Sequence, residues 1–232
     1  MRHTAHGKSQ AGFSIMELLV AMFVMTFITG AATTLLVSAF NVRSREDQRS
    51  EAIGDARRAL NIITREVANS GYQLPRGLTY ASPTGTKLVP ANGLLPEDCD
   101  ASSLTFVANL NANGETGNPA AAPSNAIGDG VEDEVVKFQL VQEAGSSFLV
   151  RRSLTTGDSL VLANRIDGAR FDYLTEAGAD TSANLAAAVN VRITVWVTIN
   201  AVGKAGQPGY QPPSQVNLSS LVNLRNAHLQ TY

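Results

Sequence analysis

Polar and apolar positions divide this chain into stretches of different character. Residues 1–12 are polar and contain Arg2 and Lys8 but no acid. From residue 13 to residue 42 the only ionisable side chain is Glu17, and residues 18–40 form an uncharged run of 23. At about 1.5 Å per residue that run is roughly 34 Å long as a helix, enough for a hydrocarbon core of about 30 Å. It predicts a membrane span. The pattern then becomes amphipathic: Ile53, Ala56, Leu60, Ile63 and Val67 recur at helical spacing, while Glu51, Asp55, Arg58, Asn61 and Arg65 occupy the opposite face. No proline interrupts residues 13–70, and Asn69-Ser70-Gly71 followed by Pro75 is a stop signal with Gly71 as a left-handed cap. A single helix over residues 14–69 is predicted, roughly 80 Å long.

Beyond Gly71 the period shortens to two. Residues 104–108, 135–141, 147–152, 160–163, 169–174 and 190–200 are short β-rich runs separated by Gly, Asn, Asp and Ser. In the last of these, Val191, Ile193, Val195, Val197 and Ile199 alternate with Arg192, Thr194, Trp196 and Thr198, which predicts a half-buried antiparallel strand. Glu143-Ala144-Gly145-Ser146 reads as a hairpin turn, and residues 109–129 and 203–213 read as long surface loops. The expected fold is α+β: a long N-terminal helix whose second half packs on an antiparallel sheet. The expected organisation is a leader over 1–12, an apolar helix over 13–42, its amphipathic continuation over 43–70 and a β-rich head over 71–232.

A secretory signal peptide also combines a basic start with apolar residues. Its apolar region is only about 7–15 residues long and ends in a small-residue cleavage site, whereas here the small residue, Gly12, precedes the run. Arg2 and Lys8 on one flank face Arg43, Arg45 and Arg49 on the other, so positive charge does not fix the orientation. Glu17 is the exception within the apolar stretch. A carboxylate at the centre of a bilayer costs about 2.5–3.5 kcal/mol on insertion scales. Snorkelling to the interface is one explanation; pairing with a new α-ammonium, if the chain is cut between Gly12 and Phe13, is the other. Thr26, Gly30, Thr34 and Ser38 fall on every fourth residue and form a ridge of small residues on which helices can approach closely.

Composition narrows the possible functions. The net charge of −2 offers no basic excess for phosphates, so nucleic acid is not an expected partner. A single cysteine, Cys99, closes no intramolecular disulfide and excludes Cys-rich zinc sites. The histidines are His3, His6 and His228. There is no phosphate-binding glycine loop, zinc-binding HExxH helix or GxSxG nucleophile elbow, and neither catalysis nor a cofactor is expected. Two acidic clusters, Glu97-Asp98 with Asp100, and Asp129 with Glu132-Asp133-Glu134, supply hard oxygen ligands of the kind calcium takes. Asp98, Asp100, Asp129 and Asp133 are the calcium candidates. Solvated loop acids are the ordinary reading, and neither cluster has EF-hand spacing.

The string Gly12-Phe13-Ser14-Ile15-Met16-Glu17-Leu18-Leu19-Val20 after a short basic leader resembles the class III signal of type IV pilins and pseudopilins. In that family a prepilin peptidase cuts after the glycine and methylates the new N-terminus on the cytoplasmic face, leaving the rest of the chain outside. The resemblance implies cleavage between Gly12 and Phe13, methylation of Phe13, and assembly through Glu17. It also implies the type IV pilin fold, and the ridge of Thr26, Gly30, Thr34 and Ser38 read from the spacing suits the bundling of stems. Residues 56–72, 165–173, 191–195 and 224–226 resemble PilW-type minor pilins, with J-type pseudopilins of type II secretion as near relatives.

The expected function is therefore that of a minor pilin that enters a type IV pilus or helps to prime it. Its expected partners are other pilins, prepilin peptidase, the inner-membrane assembly machinery and, before assembly, the lipid bilayer. Its expected locations are the inner membrane, with the head in the periplasm, and then the fibre. The alternatives are a J-type pseudopilin of type II secretion and a membrane-anchored binding protein that never polymerises.

Overall fold

The computed structural model describes residues 12–74, 77–82, 85–108, 135–143, 145–154 and 157–227. The expected loop 109–129, the acidic residues from Asp129 to Glu134, Ala144 and His228 lie outside them. The chain divides into two compact units, Met1–Glu46 with Ala201–Pro212, and Asp47–Asn200 with Pro213–Tyr232. One helix, α1 (Ile15–Val67, 53 residues), contributes to both. Its stop follows the sequence closely. Ser70 N–H reaches back to Val67 O at 3.0 Å, and Gly71 takes φ +76° in the turn that follows.

In the larger unit α1 buries Ala52, Ala56, Ala59, Leu60, Ile63 and Val67. The buried stripe is rotated slightly from the expected one. Ile53 is only half-buried, while Ala52 and Ala59 are fully inside. The two small methyl side chains thus take buried positions, and the larger, branched Ile53 sits at the edge of the buried stripe.

Three antiparallel sheets stand where a single sheet was expected. The strands β1 (Thr79–Ser82) and β2 (Gly85–Leu88) form a small hairpin that the sequence pattern did not reveal. The strands β3 (Ser103–Val107), β4 (Val135–Glu143), β5 (Ser146–Ser153) and β6 (Ser159–Ala163) form a four-stranded meander. Within it, Glu143 pairs with Ser146 across the expected turn, where Gly145 has φ +79°.

The third sheet comprises β7 (Gly168–Leu174), β8 (Asn190–Ile199) and β9 (Ser214–Asn223). Strand β8 shows the expected alternation, with Val191, Ile193, Val195, Val197 and Ile199 buried. Strand β9 was not anticipated. Its Ser, Gln and Asn residues conceal a period-two signal in Val216, Leu218 and Val222.

The four- and three-stranded sheets are tied by Phe171 N–H donating to Ala101 O (3.0 Å) and by the Tyr173 hydroxyl donating to Ser103 O (2.9 Å). One core contains α1 residues together with Leu104, Phe106, Phe138, Leu149, Phe171, Ile193 and Leu224. Arg151 on β5 donates from Nε to Glu66 on α1 at 2.8 Å, in a largely covered position.

Candidate functional site

The residues expected to carry processing and assembly lie at the start of the smaller unit. Gly12, Phe13 and Ser14 are non-helical and exposed, with the Phe13 side chain 80% accessible. The helix begins immediately afterwards. Ser14 caps it, since its Oγ accepts from Met16 N–H at 3.3 Å and its carbonyl accepts from Leu18 N–H at 3.1 Å. Glu17 is the acid of the first turn. Ser14 and Glu17 thus have the spacing of a capping box, which the sequence reading missed although the S-x-x-E signal was present.

Two consequences follow for Glu17. A carboxylate in the first turn is favoured by the positive end of the helix dipole by about 0.3–1 kcal/mol, a stabilisation that requires no partner subunit. It also stands on an apolar strip of Met16, Val20, Ala21, Val24 and Met25. A helix laid on that strip would bring its own first turn, or its own amine, towards a carboxylate in low dielectric.

The stem differs from a core helix of a soluble protein. It is the one described helix long and apolar enough to cross a membrane, and no part of its apolar window is buried. Phe13, Phe23, Phe27, Leu35 and the other large apolar side chains of the stem are exposed. Among the ridge residues, Thr26 Oγ1 donates to Met22 O and Thr34 Oγ1 to Ala31 O, each at 2.8 Å. Both hydroxyls are therefore satisfied within the helix and present methyl groups outward. A Cβ at Gly30 would meet nothing within 4 Å. Ser38 has a different environment from the other three, because Gly209 of the β8–β9 connection packs on it.

The acids of the first cluster are engaged locally. Asp100 accepts from Ser102 N–H at 2.6 Å and from Ser103 N–H at 2.7 Å. Burial pushes its carboxyl upward, but these hydrogen bonds outweigh burial and hold it below its usual value. Asp98 lies 3.8 Å from Lys137, and Glu97 pairs with Lys87. Among the described residues no group of three or more His, Cys, Asp or Glu side chains could hold a metal ion. Asp129 and Asp133 lie outside the described residues. The Cys99 thiol donates to Thr105 O at 3.1 Å and accepts from Thr105 N–H at 3.2 Å. Burial pushes this thiol up to about 11, against the opposing effect of the Thr105 hydrogen bond.

Trp196 has a packing role. It pairs with Gly168 across the β7–β8 ladder, and its indole occupies the space above that glycine, where a Cβ would lie 2.1 Å from the ring.

Comparison with known families gives a match over residues 7–33 to a model described as Prokaryotic N-terminal methylation motif. The matched segment contains Gly12, Phe13 and Glu17 and ends within the apolar stem. No curated protein matches the chain. Together with the uncovered apolar helix and the α+β architecture, the match supports a prepilin-processed, membrane-anchored protein of the pilin and pseudopilin class.

Proposed function

We propose that this chain is a minor pilin, cut between Gly12 and Phe13 and assembled into a type IV pilus through its stem. The observation that supports this most is the order of features at the N-terminus. An exposed, non-helical Gly12-Phe13 peptide is followed by a capped helix with Glu17 in its first turn and an apolar surface that stays exposed as far as Val37.

Hydrolysis after Gly12 places an α-ammonium on Phe13, beside the positive end of the helix dipole, where positive charge is unfavourable. Methylation leaves the amine protonatable, so the need for a counter-charge persists. Glu17 supplies it, from the same chain or from the stem alongside, and the pairing strengthens as lipid and neighbouring stems exclude water. Thr26, Gly30 and Thr34 let stems approach closely. Residues 1–12 act as the leader, and removal of Arg2 and Lys8 takes the net charge from −2 to −4. The head faces the periplasm before assembly and the fibre surface afterwards. Prepilin peptidase, the inner-membrane assembly machinery and other pilins are the partners, and the protein performs no catalysis of its own.

The test is Glu17→Ala expressed in the source bacterium. Phe13 should still become the N-terminus while the protein is lost from the sheared-fibre fraction. Normal incorporation of the processed variant would exclude the role given to Glu17. Recovery of the native protein only from a secretion pseudopilus would transfer the same mechanism to the pseudopilin alternative.

A further inference from the structure

We propose that the connection between β8 and β9, residues Ala201–Pro212, is a membrane-interface collar whose tip rests in the lipid headgroup layer before assembly. The inference rests on reading the stem as a membrane anchor, and it assigns a lipid contact to a segment outside the stem.

The connection is a built hairpin. Val202 and Gln211 exchange both backbone hydrogen bonds, at 3.0 and 2.9 Å. The tip is closed by Gln207 N–H donating to Lys204 O (3.0 Å) and Tyr210 N–H donating to Gln207 O (3.2 Å). It seats on one face of α1. A Cβ at Gly209 would fall 2.5 Å from Ser38 Cα, so this is a contact of backbone with backbone, and φ +79° at Gly209 also favours glycine. Gly203 lies beside the Asn41 amide, and the Arg45 guanidinium donates to Pro212 O. Ser38, Asn41 and Arg45 lie three and four residues apart, on a single face, and are half-buried, whereas the stem below them is exposed.

The position of that seat determines the depth. The apolar run starts at Leu18 and the collar first covers it at Ser38, leaving about 20 uncovered residues, or roughly 30 Å of helix. That is the thickness of a hydrocarbon core. A turn with solvated backbone groups cannot lie deeper, because hydrocarbon offers them no hydrogen-bond partners.

The chemistry of the tip suits the headgroup layer. Between Ala201 and Pro212 the only charge is Lys204, and Tyr210 is the only aromatic residue. A long cationic side chain and an amphipathic ring are the residues that settle at the membrane–water boundary. Arg43, Arg45 and Arg49 stand at the same end of the apolar run, with Glu46 and Asp47 between them. One consequence concerns assembly. The collar occupies the Ser38 end of the small-residue ridge, which leaves Thr26, Gly30 and Thr34 for close stem packing.

The test uses the full chain with Cys99→Ala, reconstituted in phosphatidylcholine vesicles containing phosphatidylglycerol. An environment-sensitive dye is attached at Gln207→Cys, at Met25→Cys or at the exposed Ser182→Cys. Quenching is measured with lipids spin-labelled on the headgroup or deep in the acyl chain. The headgroup label should quench the dye at 207 several-fold more than the dye at 182, and the deep label should quench the dye at 25. Gly209→Val, which unseats the hairpin, should lower quenching at 207 and leave quenching at 25 unchanged. Equal headgroup quenching at 207 and 182, with deep quenching at 25 retained, overturns the collar alone. Absence of deep quenching at 25 overturns the anchor reading and the collar with it.

Discussion

Gly93 faces Gly71 so closely that a Cβ at Gly93 would fall 2.2 Å from the Gly71 nitrogen. Both glycines have positive φ, +73° and +76°, and Val107 bridges them by accepting from Gly71 N–H and donating to Gly93 O, each at 2.8 Å. The turn after the long helix is thereby tied to β3 through backbone hydrogen bonds. Gly93→Ala combines a disfavoured φ with a clash that no side chain can relieve. A loss of about 2–4 kcal/mol is expected, which for a protein of this size lowers Tm by roughly 5–15 °C. Thermal unfolding of the detergent-solubilised chain checks this. A Tm within about 2 °C of the parent would show that the contact yields easily.

The Arg151–Glu66 pair fastens the helix to the four-stranded sheet. It is neither open to solvent nor fully buried, so its value lies between that of a surface pair and a buried one. Arg151→Ala should cost about 1–2 kcal/mol. The double variant with Glu66→Ala should cost less than the sum of the single variants. Strict additivity in that cycle would mean that the two charges are uncoupled.

Alkaline pH should loosen the head through Cys99. Its folded value of about 11 lies above the ordinary 9.0, so the folded state holds its proton more tightly than the unfolded state does. The corresponding stability is fully present below about pH 9 and is lost as pH rises towards 11, by roughly 2–3 kcal/mol in all. Tyr173, which burial also pushes upward, extends the loss to higher pH. Melting temperatures across pH 8–11 should fall steeply for the parent and less steeply for Cys99→Ala. Parallel curves would mean that the thiol does not cause the alkaline loss.

The stem was legible in the sequence because nothing competes with it. An uncharged run next to a single acid has one physical solution in lipid. Strand β8 was legible for a similar reason, since its alternation is uninterrupted. Strand β9 was hidden because it lies at a sheet edge and carries polar residues on its outer face, leaving only Val222 fully buried. Residues in the head motifs turn out to fasten segments that are distant in sequence. Asn226 donates to Ser70 O at 2.8 Å behind the helix end, Asp167 accepts from Thr198 N–H, and Gly168 lies under Trp196. The collar escaped notice because its glycines act through distant partners. The spacing of Gly203, Gly206 and Gly209 signals turns, but only the folded chain brings Ser38 beneath Gly209.

Processing at the N-terminus decides between a pilin and an uncut membrane anchor, and it is read from the intact mass of the full-length protein recovered from bacterial membranes, with sequencing of its N-terminal peptide. The expected product lacks residues 1–12 and begins at Phe13 bearing one methyl group on its amine. A chain that retains Met1, or one cut elsewhere and unmethylated, would contradict it.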